Sequence, residues 1–401
     1  MLYSAITDFL GFQVNEGEYK VMGLAAFGNK KSQLAKKVSG LLNFDIVTKR
    51  FEQNMSFFSY HISPTDSFSE KLITLLGKPR NPFESLSTEN KDFQRYADIA
   101  AGAQSLVINN LRMLFEYAYS LTNTNTFLFS GGVAMNSASL DSIASLPFVE
   151  KLIVPPSPGD AGSAIGAAYY GFLKNSVKTV KSLPKPDLFP SQYNYKNQLK
   201  TAKKILDKDF KILTNNINDA LKIAANLISK GEVIGTLIGN IEIGPRALGH
   251  RSLICDGKNA KAVNYLNSVI KNRSPFRPTA PCMNLEIAKK YYVLRGELME
   301  SYKSMGATCS CKVGSGSSNF PTSHIDGTAR LQIIEDNSFL DKLFRELKQF
   351  DIEILANSSL NASGDPTCYD LIDVLMLSAR HPLRYIITDF GLLESKFFGN
   401  I

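Results

Sequence analysis

The chain of 401 residues contains no tryptophan, four histidines and five cysteines. It has no run of about 18 apolar residues, so the sequence predicts no membrane span. The opening residues, MLYSAITDFLGF, show no basic segment followed by an apolar one. No export signal is read there, and the expected location is cytoplasmic. Cys255, Cys282, Cys309, Cys311 and Cys368 are an odd number without such a signal, which reads as free thiols in a reducing compartment. Cys309 and Cys311 could form half a metal site, but no second Cys or His pair stands at zinc-ligand spacing, and plain thiols are the simpler reading.

Charge of one sign is in excess: the formal net charge is +8. Such a balance raises nucleic acid as a partner, because phosphates need clustered Lys and Arg. The lysines of KNSVKTVKSLPKPD and KNQLKTAKKILDKDFK are instead spread along a linker-like stretch and a polar helix face. With no tryptophan and no aromatic residues interleaved with basic ones, a base-stacking platform is not expected. No nucleic acid and no membrane partner is therefore read from the sequence, and a solvated surface or attraction for small anions explains the excess.

A chain this long exceeds the usual single core, so two domains are expected. DIAAGAQSLVINNLRMLFEYAYSL, from Asp98, carries apolar residues at helical spacing. TFLFSGGVAMN and KLIVPPSPGDAGSAIGAAYYGFL then each read as strand, glycine turn and helix, the units of a mostly parallel sheet. The proline- and lysine-rich stretch from Asn175 to Asn197 marks a boundary near residue 190, giving domains 1–190 and 191–401. Beyond it, DALKIAANLISKG predicts a helix closed by Gly231, and EVIGTLIG a strand feeding the loop GNIEIGPRALGHRSLICDG. VGSGSSNF, residues 313–320, is expected to be a mobile loop.

Several segments could carry chemistry. Gly131 and Gly132, leading to Asn136, lie where a strand meets a helix, so backbone N–H groups there could approach a phosphate or ribose; the alternative is a tight turn with no ligand. Asp160 either caps the following helix or holds a metal ion near phosphates. Glu18 could accept from ribose hydroxyls and Lys20 could neutralise a phosphate, unless they are simply an exposed pair. In the second domain, Arg246, His250 and Arg251 are followed by Lys271, Arg273 and Arg277 on Pro- and Gly-stiffened loops. Cations held this way suit an anion clamp, because guanidinium forks match phosphate and carboxylate oxygens. Ser358, Ser359 and Asn361 would add neutral donors and acceptors to the same ligand.

Together MLYSAITDFLGFQVNEGEYKVMGLAAFG, FLFSGGVAMN, PPSPGDAGSAIGAAYYG, IEIGPRALGHRSL, NRSPFRPTAPCM, HIDGTARLQ and NSSLNASGDP follow the order of motifs in the NodU/CmcH-type carbamoyltransferases, which this chain resembles over almost its whole length. The resemblance implies a mixed α/β fold, with part of an actin/hsp70-like (ASKHA) domain followed by a YrdC-like domain. It implies that carbamoyl phosphate and ATP give carbamoyl adenylate in the YrdC-like domain, with release of pyrophosphate and phosphate, and that the carbamoyl group then passes to a hydroxyl acceptor. By motif, Arg246, Lys271 and Arg273 are the expected catalytic residues. Glu18, Lys20, Gly131, Gly132, Asn136, Arg251, Arg277, Ser359 and Asn361 are expected to bind nucleotide or carbamoyl phosphate. ATP is expected with Mg2+, and a divalent metal, Fe2+ being one candidate, at Asp160 in the actin-like domain.

The sequence also departs from the family pattern. His250 replaces the usual Asn after GPRALG, and Ala362 and Ser363 stand where an Arg is usual. The family's amino-terminal subdomain, with its histidine cluster, is not matched here; His61, His250, His324 and His381 do not fit its motif. Transfer is therefore expected to need that part, from a partner chain, a homo-oligomer or a longer native chain. The competing reading is a non-catalytic nucleotide-binding subunit that regulates a partner.

Overall fold

The computed structural model describes residues 1–175, 188–189, 195–274 and 276–397. The boundary expected near residue 190 falls outside the described residues. The mixed α/β class expected from the sequence is what the structure has.

The first half is built on the helix Phe93–Thr122, which ends where Asn123 turns left-handed at φ 52° and donates its N–H to the carbonyl of Tyr119. Its apolar face buries Tyr96, Ala97, Ile99, Ala100, Ala103 and Leu106 against Ile6, Phe9, Val21, Leu24 and Val38 of three short helices. The predicted strand, glycine turn and helix units are both present: Thr126–Leu128 precedes Ser137–Ala144, and Lys151–Ile153 precedes Asp160–Asn175. The two strands pair in parallel. No residue of the helix Asp160–Asn175 is buried, and its Tyr170 and Phe172 are exposed.

The second half carries an eight-stranded mixed sheet. Its order is Gln332–Ile333, Ala280–Met283, Leu355–Ser359, Arg251–Asp256, Ile234–Leu237, Tyr385–Thr388, Gly391–Ser395 and Phe210–Thr214. Two neighbouring pairs are parallel, Ala280–Met283 with Gln332–Ile333 and Ile234–Leu237 with Tyr385–Thr388; the other pairs are antiparallel. Side chains alternate across a strand with period two, so each strand serves two cores. Ile234, Ile254 and Leu355 meet the helices Ile217–Ser229 and Phe339–Leu347 on one face. Leu253, Cys255 and Ala356 meet Val374, Leu375 and Ala262 on the other. The helix predicted before Gly231 is Ile217–Ser229, capped by the Asn216 side chain on the N–H groups of Asn218 and Asp219.

Besides the cores within each half, one core is shared between them. Phe115, Phe127, Ile143 and Leu152 of the first share one apolar cluster with Tyr302, Cys309, Leu331 and Ile354 of the second. Each large side chain buried there contributes about 1.5–3 kcal/mol. Arg295 Nε also reaches Asp141 Oδ1 at 2.7 Å across the same junction. The segment 313–320, expected to be mobile, is tied down: Ser317 is fully buried and its hydroxyl donates to the carbonyl of Tyr291 at 2.8 Å.

Two motif loops from opposite halves press together at Gly244. Its φ is +103°, and a Cβ there would stand 2.5 Å from the carbonyl oxygen of Pro156 in the PPSPGD turn. At Gly314 φ is +78° but a Cβ would meet nothing within 4 Å. Gly314→Ala is therefore expected to lose about 1 kcal/mol, from the left-handed backbone alone. Gly244→Ala should lose at least about 1 kcal/mol more, because backbone must move to admit the methyl. Urea unfolding of the two variants checks this; equal losses would contradict a tight junction.

Candidate active site

A cleft of about 980 Å³ lies between the halves. The first half lines it with Tyr19, Met22, Gly23, Gln104, Ser137 and Asp141, and the second with Arg246, Arg273, Arg277, His324, Arg330 and Asn357 among others. That volume is at the upper end of small-molecule pockets.

The GPRALGHR loop is shaped around one carboxylate. Glu242 Oε1 accepts from the backbone N–H groups of Leu248 at 2.8 Å, His250 at 2.9 Å and Arg251 at 3.0 Å. Three N–H donors on one carboxylate oxygen hold a loop that has neither helix nor strand hydrogen bonds of its own. Two side-chain amides brace it from the sheet: Asn357 Nδ2 donates to Ala247 O at 3.0 Å, and Gln332 Nε2 to Leu248 O at 3.0 Å. Arg246 is thereby presented to the cleft.

The cations divide into those turned inward and those left open. Arg251 is fully buried and donates to the carbonyls of Ile238, Gly239, His250 and Tyr369. It does not line the cleft, so the expected anion ligand is instead a brace of the loop. His250 does similar work, with Nδ1 3.0 Å from Ile238 O. Lys271 is 4% exposed. Its Nζ donates to Ser359 O at 2.7 Å, to Ser359 Oγ at 3.0 Å and to Asn361 Oδ1. Three acceptors match the three donors of an ammonium, so Lys271, Ser359 and Asn361 form one knot beneath the cleft, whose wall includes Ser359 and Asn361. Arg273 is anchored on Asn267 Oδ1 at 2.9 Å and on Thr279 Oγ1 at 3.1 Å. The Arg277 guanidinium lies 4.7 Å from the Tyr19 ring centroid. That stacking joins the halves across the cleft.

Arg246 and Arg330 differ from these. Among the described residues, neither side chain has a hydrogen bond or ion pair, and Arg330 Nε is a buried donor with no partner. Burial lowers the pKa of Arg246 to about 10. Burial first, then Arg246, Arg273 and Arg277, push Arg330 well below its usual value. Burial and the charges of Arg273 and Arg277 act likewise on Lys271. The carboxylates of the cleft do not relieve this repulsion, since Glu242 serves the loop, Asp141 pairs with Arg295, and Asp326 accepts from Thr328. Unanswered guanidinium groups brought together in this way can bond phosphate or carboxylate oxygens.

The first-half candidates are placed differently. Lys20 lies beside the cleft, 5.6 Å from the Phe12 ring, with its pKa lowered by burial and then by Arg277 and Arg80. Glu18 accepts from the backbone N–H of Asn15 and does not line the cleft. Asn136 caps the helix Ser137–Ala144 and exchanges two amide hydrogen bonds with Gln104, at 2.8 and 3.0 Å. Gly131 and Asp160 line a second, smaller cleft of about 490 Å³, apart from the arginines. Gly131 N–H is already given to Pro158 O at 2.7 Å, and Gly132 is not in either cleft wall. Among the described residues no group of three His, Cys, Asp or Glu could hold a metal, so Asp160 has no ligand set around it there.

Arg330, His324, Tyr19, Glu242 and Asn357 received no role from the sequence. Arg330 and His324 lie within HIDGTARLQ, so the motif itself was the signal; their convergence with Arg246 depends on the fold. His324 is half-buried beside Arg330 with its Nε2 atom enclosed, and its pKa is lowered to about 4 by burial, with Asp326 opposing and Arg330 adding to the shift. The unfolded chain, near 6.5, then binds a proton that the folded chain refuses. Stability is complete above about pH 6.5 and falls as pH drops toward about 4. Comparing wild type with His324→Gln by urea unfolding from pH 7 to 4.5 should show the wild type losing more; parallel profiles would contradict it.

Fold and site thus define an α/β protein with an arginine-lined cleft between two interlocked halves. Residues 1–169 match the family model for the carbamoyltransferase N-terminus, and residues 225–394 the model for the carbamoyltransferase C-terminus. The chain belongs to the carbamoyltransferase family. An uncharacterized protein of Synechocystis sp. is 30% identical over 97% of this chain and 66% of its own length. Nodulation protein NolNO of Sinorhizobium fredii is 25% identical over 99% of this chain and 55% of its own. The 3'-hydroxymethylcephem-O-carbamoyltransferase of Streptomyces clavuligerus is 28% identical over 59% of this chain and 42% of its own. The chain spans roughly half to two thirds of the length of the curated relatives it matches along most of its own. Among the described residues no helix is long and apolar enough to cross a membrane.

Proposed function

We propose that the cleft binds carbamoyl phosphate and ATP, the latter as its Mg2+ complex, and joins them as carbamoyl adenylate. Carbamoyl phosphate, ATP and one water yield carbamoyl adenylate, phosphate and pyrophosphate. The observation that carries this reading is the pair Arg246 and Arg330, half-buried beside Arg273 and Arg277 and, among the described residues, with no ion pair to a protein anion. Two polyanions repel each other in water, and a fixed set of guanidiniums offsets that repulsion while holding them in reach. Arg246 and Arg330 have donors free for phosphate oxygens, and they act on charge developing at the departing pyrophosphate and phosphate. Arg273, held rigid by Asn267 and Thr279, and Arg277, backed by Tyr19, keep the field in place. Lys271 orients Ser359 and Asn361 toward the same ligand.

Transfer of the carbamoyl group to a hydroxyl acceptor is the second part of the proposal. The cephem relative is named for O-carbamoyl transfer, which supports an oxygen acceptor here. The smaller cleft at Gly131 and Asp160 is the place proposed for that step, and the exposed Tyr170 and Phe172 beside it suit cover by a further segment or a partner chain.

Purified chain given ATP and carbamoyl phosphate is expected to release pyrophosphate in a coupled assay. Arg246→Ala and Arg330→Ala should each lower kcat/KM by about 100-fold or more, the range for removing one preorganised charge donor. Arg345→Ala, at an exposed position of the helix Phe339–Leu347 where Arg345 pairs with Asp341 and Asn337, should leave it unchanged. ATP binding without pyrophosphate release would overturn the adenylating assignment.

A further inference from the structure

The unpartnered arginines of the cleft are donors; one neighbour is the opposite. His324 Nδ1 lies 2.9 Å from Thr328 Oγ1, and Thr328 Oγ1 lies 2.7 Å from Asp326 Oδ1. A threonine hydroxyl has one hydrogen, and a carboxylate only accepts, so that hydrogen goes to Asp326. Thr328 Oγ1 must then accept from His324, which puts the imidazole hydrogen on Nδ1 and leaves Nε2 a bare lone pair. His324 lines the cleft, and its Nε2 is buried without a partner among the described residues. The positive charge of Arg330 nearby opposes a second proton on the ring. The result is a fixed hydrogen-bond acceptor in a cleft where the unpartnered Arg246 and Arg330 side chains donate.

A donor-rich cleft recognises phosphate but cannot distinguish one acyl phosphate from another. Carbamoyl phosphate and acetyl phosphate have nearly the same shape and the same phosphate; they differ by NH2 in place of CH3. Only an acceptor reads that difference, because it bonds the amide hydrogen and is left buried and unpaired against a methyl group. Resting on the reading that carbamoyl phosphate occupies this cleft, we propose that His324 is the specificity-determining residue, its Nε2 accepting from the carbamoyl NH2 and rejecting acetyl phosphate. Asp326 and Thr328 act as positioning residues by fixing the tautomer.

The test uses two stable analogues that differ in the same way, phosphonoacetamide, which has the NH2, and 2-oxopropylphosphonate, which has the CH3. Calorimetric titration of the full chain at neutral pH should show the amide bound about tenfold or more tighter, one hydrogen bond's worth of discrimination. In His324→Leu the two affinities should fall within about twofold of each other, the methyl analogue keeping or gaining affinity. His324→Gln, which restores an acceptor, should recover part of the preference, and circular dichroism establishes that each variant is folded. A preference that survives in His324→Leu would overturn the proposal, moving the acceptor role to Asn357 Oδ1, the other buried acceptor of the cleft without a partner. No preference in the wild type would overturn it equally. Binding of neither analogue by the wild type would count against carbamoyl phosphate as the occupant of the cleft, a separate result from loss of selectivity alone.

Discussion

Mutual repulsion among Arg246, Arg273, Arg277, Arg330 and Lys271 is the constraint that the rest of the structure must withstand. Two like charges about 6 Å apart raise the energy by on the order of 3 kcal/mol at an effective dielectric near 20. Without an internal anion, the fold has to hold these groups by other means. Backbone carbonyls take Arg251, side-chain amides and hydroxyls take Arg273 and Lys271, and an aromatic ring takes Arg277. Arg246 and Arg330 are left to be neutralised by whatever enters the cleft. A ligand with several negative charges therefore relieves strain that is already present, which is the physical basis of a preorganised site.

The scaffold that resists this repulsion runs through both halves. Glu242 spends its charge on three backbone N–H groups, and without it the N–H groups of Leu248, His250 and Arg251 would lose their shared acceptor. Gly244, at the start of the same loop, permits contact with Pro156, and the cluster of Phe115, Phe127, Tyr302 and Leu331 closes the junction. Because the core is shared, a change at the junction is felt at the cleft.

Much of this was legible residue by residue. Alternation of apolar positions and the turn at Gly231 placed the helix Ile217–Ser229 and the strand Ile234–Leu237, since both signals are local. Arg246, Arg273 and Arg277 were legible as cations gathered on loops because Pro and Gly hold them off any helix face, and they do line one cleft. Arg251 was not, because its position on a strand at the loop's exit turns it into carbonyl groups that only the folded sheet brings together. Asn136 and Glu18 read as ligand contacts in the sequence, yet each serves a helix start or turn, a local use that the same residue types make often. Arg330 lay within the quoted motif HIDGTARLQ, but a lone arginine there has no local feature that tells whether it faces solvent or joins Arg246 in the cleft.

What the sequence by itself determined was the set of parts: free thiols, no apolar span, two strand, glycine turn and helix units, a cationic loop after a buried strand, and motifs whose order matches the carbamoyltransferases. These follow from composition and from periodicities of two and 3.6 residues, which act over a few neighbours. The tertiary structure decided the division of labour. Packing determined that Arg251 faces carbonyls while Arg246 faces the cleft, and that Lys271 ties a knot with Ser359 and Asn361. It also determined that Thr328 spends its only hydrogen on Asp326 and so leaves His324 Nε2 an acceptor. Each of these depends on which groups distant in the chain arrive within about 3 Å, a distance at which hydrogen bonding and Coulomb repulsion choose a role that residue type alone leaves open.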